Sequence, residues 1–193
     1  SWPSSICSEK HLFRVPVVRH DGGMDSLVHA LARPRNAALL LLAASALALA
    51  TAYATQYWGG LEPCPLCLYQ RVPYAVGGAL AAAALMTRAS GLLALLLLLA
   101  AAAFFVNTWI AFYHLGVENH LWASAVCTGD APVITSVEDL RRALAAPPPK
   151  PCDAVDWTLF GVSMAGYNVI VSAALAGLAI VAAARARWGD PRP

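Results

Sequence analysis

The chain has 193 residues, of which 59% are hydrophobic and only 12% charged, with a mean hydropathy of +0.59. A soluble domain carries roughly 25% charge, so an ordinary water-facing surface is excluded and the apolar excess is the property to explain. The formal net charge of +2, with no basic stripe interleaved with aromatics, gives no support for a nucleic-acid partner.

Residues 1–35 form a polar N-terminal segment, expected on the cytoplasmic side. The run from Met24, "MDSLVHALARPRN", reads as a natural beginning, and residues 1–23 read as an addition or an extended start. The segment is too polar, and too far from the first apolar run, to be a secretory signal peptide. Cys7 within it is expected to be functionally idle.

Four apolar runs follow, and about 20 such residues suffice to cross a bilayer as a helix. They are residues 36–58, 72–87, 91–113 and 159–184, and none contains a charged residue. The second is short, but reaches spanning length if its helix begins near Pro65, a favoured first-turn residue. Pro73 would then be interior and should kink or interrupt that helix. A soluble bundle would need charged outer faces that these runs lack. The expected architecture is an all-α integral membrane protein, a four-transmembrane-helix bundle over residues 36–187, with loops at 56–71 and 114–158 and a tail at 188–193.

Sidedness follows from the basic residues near the span ends. With four spans both termini share a side, and that side holds nine: Lys10, Arg14, Arg19, Arg33, Arg35, Arg88, Arg185, Arg187 and Arg192. The opposite loops hold Arg71, Arg141, Arg142 and Lys150. The termini are therefore expected in the cytoplasm and the two loops in the periplasm.

The first loop contains "EPCPLCLYQR", residues 62–71. Cys64 and Cys67 form a C-x-x-C, Cys67 falls in the first turn of a helix begun at Pro65, and the positive helix end would favour a thiolate there. Arg71 lies one turn further on, on the face of Cys67. It reads equally well as an interfacial arginine snorkelling to headgroups. The second loop contains Cys127 and Cys152. Within it "SVEDLRRAL", from Ser136, has a capping-box form and puts Val137, Leu140 and Leu144 on one face, as in a short amphipathic helix on the membrane surface or one packed on neighbouring protein. "PPPK" from Pro147 should be extended.

Four cysteines placed in pairs in extracytoplasmic loops fit an oxidising compartment. A zinc site using all four is disfavoured, because the second pair lacks the usual C-x2-4-C spacing. A structural disulfide suits Cys127 and Cys152 better than the close pair, and close pairs recur in redox catalysts.

These residues resemble the DsbB family of bacterial inner-membrane disulfide-forming proteins. "PCPLCLYQR", "YHLGVENHLW" after the third run, single cysteines at 127 and 152, and "DWTLFGVSMAGYN" entering the fourth run match in order over about residues 33–187. The resemblance implies a thiol:quinone oxidoreductase, with ubiquinone or menaquinone as cofactor and a periplasmic thioredoxin-like (DsbA-like) disulfide oxidant as partner. By position, Cys64 and Cys67 match the quinone-linked pair, with Cys67 nearest the ring. Cys127 and Cys152 match the mobile pair, Cys127 being attacked by the partner. Arg71 and His114 match residues at the quinone site, although His114 alone would pass for an ordinary interfacial histidine. Gln70 stands where some relatives are acidic and carries no expectation, nor do Glu118 and His120 as loop residues. No metal site is expected. The rivals are a vitamin K epoxide reductase-like protein, whose C-x-x-C would come after the loop pair, and a non-enzymatic zinc-binding membrane protein.

Overall fold

The structure, a computed structural model, describes residues 29–124, 126–127, 136–139, 141 and 150–188. Four long helices and one small hairpin dominate them: α1 (Pro34–Tyr57), α2 (Pro65–Met86), α3 (Ser90–Glu118), β1 (Thr158–Leu159), β2 (Val162–Ser163) and α4 (Met164–Trp188). α3 packs along both α2 and α4, and α1 closes against α2 and more lightly against α4.

α1, α3 and α4 are long and apolar enough to cross a membrane. α2 has 22 residues, about 33 Å at the α-helical rise, but Gln70, Arg71 and Pro73 dilute the apolar character of its first half. The helix runs through Pro73 without interruption. The ring removes one donor, that of residue 73, and so one backbone hydrogen bond from the first turns.

Large apolar side chains face outward, among them Leu39, Leu47, Phe105 and Ile180, while the interior is lined by Ala37, Ala38, Ala81, Ala100, Ala101 and Ala179 around Leu41, Leu97 and Phe104. That inversion of the soluble pattern is what lipid favours, since only close approach of helix backbones distinguishes the interface from its solvent. Gly77 permits such an approach: a Cβ there would lie 2.7 Å from the Phe104 ring.

Two boundaries depart from the sequence expectation. α3 does not end at Tyr113 but continues to Glu118, where His120, at φ 55, closes it with hydrogen bonds from His120 N–H to Val117 O and from Leu121 N–H to Gly116 O. This is a Schellman ending. The fourth helix starts at Met164 rather than Leu159, because Phe160 (φ 51) and Gly161 (φ 78) make a tight two-residue turn between β1 and β2. Two positive φ values in sequence match the right-handed twist of such a hairpin. Ser163 then caps α4, accepting the Gly166 N–H at 3.2 Å.

The expected surface helix is seen only at its start. Residues 137–139 and 141 are helical, and Ser136 Oγ accepts the Asp139 N–H at 3.1 Å while donating to its carboxylate. Leu140, residues 142–149 and residues 1–28, Cys7 among them, lie outside the described residues.

Candidate functional site

Pro65 opens α2 and leaves Cys64 as its N-cap in an extended conformation. Cys64 Sγ, not a hydroxyl, accepts one of the free backbone donors of the first turn, the Cys67 N–H at 3.3 Å. The same local turn brings Cys67 Sγ to 2.8 Å from Cys64 Sγ, both as free thiols. The helix end therefore serves Cys64, whereas the spacing had pointed to a thiolate at Cys67.

The last turns of α3 supply the remaining groups. His114 Nε2 lies 3.6 Å from Cys64 Sγ, and Glu118, one turn on, puts Oε1 3.8 Å from the same nitrogen. Both side chains are buried, and the second Glu118 oxygen accepts from the Ser163 hydroxyl of the hairpin. On the other side of the ring Gln70 Nε2 meets His114 Nδ1 at 3.1 Å, and Gln70 Oε1 accepts from Asn168 Nδ2 at 2.6 Å. Asn168 in turn accepts from Tyr74 and Asn107, so a buried polar chain links α2, α3 and α4 to the sulfur. In that chain His114 carries its proton on Nε2 and donates it toward Cys64.

The Cys64 thiol is drawn down to about 4, first by the Cys67 S–H, against the cost of burial, and then by His114 and the Cys67 N–H. A single proton shared between two close sulfurs makes one of them anionic at neutral pH, and the donors converge on Cys64.

Cys127 and Cys152 are joined as a disulfide. With those two sulfurs joined, Cys127 and Cys152 offer no thiolate to a site of all four cysteines in this structure. Cys152, 2% exposed, packs in one cluster with Cys64, Leu66 and Val117, with Cys67, Tyr113 and Cys127 at its edge. All four loop cysteines therefore meet at one end of the bundle. A cleft of about 490 Å³, bordered by His120, Trp122 and Pro151, opens onto Cys127 and Cys152.

Arg71 turns elsewhere. It donates to Gln56 Oε1 at 2.6 Å and to Ala52 O at 3.3 Å, with its guanidinium 4.8 Å from the Tyr53 ring centre. No hydrogen bond among the described residues ties it to either cysteine or to His114, so the expected pairing with Cys67 on one helix face does not appear as a contact. Arg71 instead borders a groove of about 390 Å³ between α1 and α2, walled by Leu49, Leu68 and Val72. Groups able to hold a metal also exist: Cys64, Cys67 and His114 offer ligand atoms within 4.8 Å of one another.

Sequence reasoning missed Gln70, Glu118, Ser163 and Asn168. A buried amide carries no motif, and Glu118 had been assigned to a loop because the apolar run stops at Tyr113. Its spacing of four from His114 was the available signal.

Comparison with known proteins identifies the family. A family described as Disulfide bond formation protein DsbB matches residues 34–182. An uncharacterized protein of Rickettsia prowazekii (strain Madrid E) is 28% identical over 141 residues, covering 71% of this chain and 80% of the relative. No solved structure matches.

Proposed function

The chain belongs to the DsbB family of disulfide bond formation proteins, and from that premise we propose that it oxidises a periplasmic thioredoxin-like dithiol and passes the two electrons to a membrane quinone. The observation carrying this reading is the convergence of the Cys127–Cys152 disulfide on the Cys64–Cys67 dithiol in one buried cluster. Disulfide exchange requires a thiolate to reach a sulfur in line, and such packing removes the long search between loops.

The steps balance as follows. A thiolate of the reduced partner attacks Cys127, which the cleft leaves half-buried, and Cys152 departs with the electron pair. Cys152 attacks Cys64 in the oxidised first pair, and Cys67 departs as thiolate. The partner's second thiolate then attacks the partner sulfur bound to Cys127 and releases Cys127, which attacks Cys152 and releases Cys64 as thiolate. The first pair is left as the dithiol, the second as the disulfide, and the partner is oxidised. His114 Nε2–H and the Cys67 N–H hold the negative charge on Cys64, Gln70 fixes the imidazole's orientation, and burial excludes water from the exchange.

The groove beside Arg71 fits a quinone: its walls are mainly apolar, and it presents one guanidinium and the Gln56 amide to a carbonyl oxygen. When bound, ubiquinone or menaquinone supplies the two-electron sink. Arg71 would hold it by a charge-assisted hydrogen bond, and Cys67, half-buried one turn earlier and outside the lining of the groove, would be the donor sulfur. α2 then completes four spans, with both termini cytoplasmic and the cysteine end periplasmic in a bacterial inner membrane.

The test is a trapping experiment. With Cys152→Ser the resolving sulfur is gone, and a reduced thioredoxin-fold protein should accumulate as a mixed disulfide on Cys127, identified by its cross-linked peptide. A trap on Cys64 instead, or none at all, would contradict the scheme.

A further inference from the structure

We propose that the open Cys64–Cys67 dithiol, His114 and Glu118 together form a redox-gated zinc site. Two thiol sulfurs and the His114 Nε2 already lie within 4.8 Å of one another. Glu118 Oε1 faces the same nitrogen at 3.8 Å, and its other oxygen is held by Ser163. No step of the disulfide relay uses that carboxylate, so a buried acid at this point calls for its own account.

The donor set is two thiolates, one imidazole and one carboxylate, the composition of a four-coordinate zinc site. Calcium and magnesium, which take oxygen ligands, are excluded by the sulfurs. The ligands come from the first turn of α2 and the last turns of α3, two rigid elements. The supporting contacts are present as well. Ser163 orients the carboxylate, and the Gln70 amide lies on His114 Nδ1, the nitrogen left over when Nε2 binds a metal. Three movements are required, the first being that Glu118, which lies outside the group of Cys64, Cys67 and His114, brings a carboxylate oxygen in toward the sulfurs. The sulfurs, 2.8 Å apart, must open by about 1 Å to share an ion with bonds of about 2.3 Å. The Gln70 amide must turn its oxygen to Nδ1–H, and the Asn168 amide must turn with it to accept from the Gln70 N–H.

Binding replaces the thiol protons with Zn²⁺ and moves no electrons. Forming the Cys64–Cys67 disulfide removes both thiolates, so the ion leaves. Metal and disulfide exclude each other, and a zinc-loaded chain is held out of the electron relay. The gating rests on the redox reading of the pair; the coordination itself does not.

The full chain in detergent, with Cys7, Cys127 and Cys152 changed to serine, is titrated with Zn²⁺ against a chromophoric chelator in dithiol and disulfide states. One equivalent should bind the dithiol, at least a hundredfold more tightly than the disulfide. His114→Ala and Glu118→Gln should each weaken binding ten- to a hundredfold or more. Co²⁺ in the unmutated site should show tetrahedral ligand-field bands and thiolate charge transfer, which keeps the test decisive if His114→Ala fails to fold. Equal affinity in both redox states, no loss in the variants, or a spectrum without thiolate bands would overturn the site. A protein that reduces quinone but takes no zinc refutes the site alone. One that takes zinc only as the dithiol but never reduces quinone refutes the functional reading alone.

Discussion

Cys64 is an N-cap whose side chain is a free thiol, and that double use governs its chemistry. Its folded thiol lies near 4 against about 8.5 for a free cysteine. A lowered value means the thiolate persists above about pH 4 and is lost only as pH falls through that point. Alkylation of Cys64 in reduced protein, followed by mass spectrometry, should therefore stay nearly flat from pH 8 down toward about 5, where a free thiol would slow about tenfold per unit. His114→Ala should move the midpoint upward; a profile like that of free cysteine would contradict the donor geometry. In the proposed function Arg71 has a different task, holding the acceptor from the α1 side, where it already meets Gln56 and Ala52. Lysine keeps the charge but loses the planar fork. A charge-assisted hydrogen bond contributes roughly 1.5–3 kcal/mol, so Arg71→Lys should raise the apparent quinone KM by about ten- to a hundredfold while leaving mixed-disulfide formation at Cys127 unchanged. An unchanged KM returns Arg71 to a headgroup anchor.

At the scale of elements, α2 must approach both α1 and α3 while presenting its first turn to the site. Gly78 meets Ser45 of α1, with a Cβ position 3.0 Å from Ser45 Cβ, and Gly77 meets the fully buried Phe104 of α3. Overpacking of this kind costs about 1–3 kcal/mol. Gly77→Val should lower the thermal midpoint in detergent, and Phe104→Leu in the same chain should restore part of it; failure of that rescue would place the strain elsewhere. The apolar runs and Pro65 made α1, α2 and the mid-portions of α3 and α4 legible in the sequence. The ends were not. The last turns of α3 carry His114 and Glu118, which break the hydropathy pattern yet stay helical, Glu118 held by the Ser163 hydroxyl and His114 by Cys64 and Gln70. The start of α4 was hidden by the apolar run through Leu159 and Phe160, although Gly161 before alternating residues was a usable turn signal. Asn107 and Asn168 were invisible within apolar runs; their meaning lies in pairing across helices, which periodicity does not encode.

At the scale of the molecule, the two ends of the bundle have different chemistry. Arg35 reaches Thr87 O, and Arg185 reaches His29 O, tying the start of α1 to the end of α2, and the end of α4 to the chain just before α1, in one basic end. The cysteines, the hairpin and exposed Tyr57, Trp58 and Trp157 gather at the other. Exposed tryptophan and tyrosine suit a membrane interface, and the basic end suits the cytoplasmic face. In the proposed function, this arrangement would let the molecule join a water-soluble dithiol to a lipid-soluble acceptor at the end where the cysteines gather. The most direct test of that claim is the anaerobic stoichiometry of the purified protein in lipid, supplied with a reduced thioredoxin-fold dithiol and ubiquinone. One quinol should form for each disulfide made, and Cys67→Ser should abolish quinol formation. Dithiol oxidation without quinol, or quinol formation at the wild-type rate in Cys67→Ser, would contradict the account.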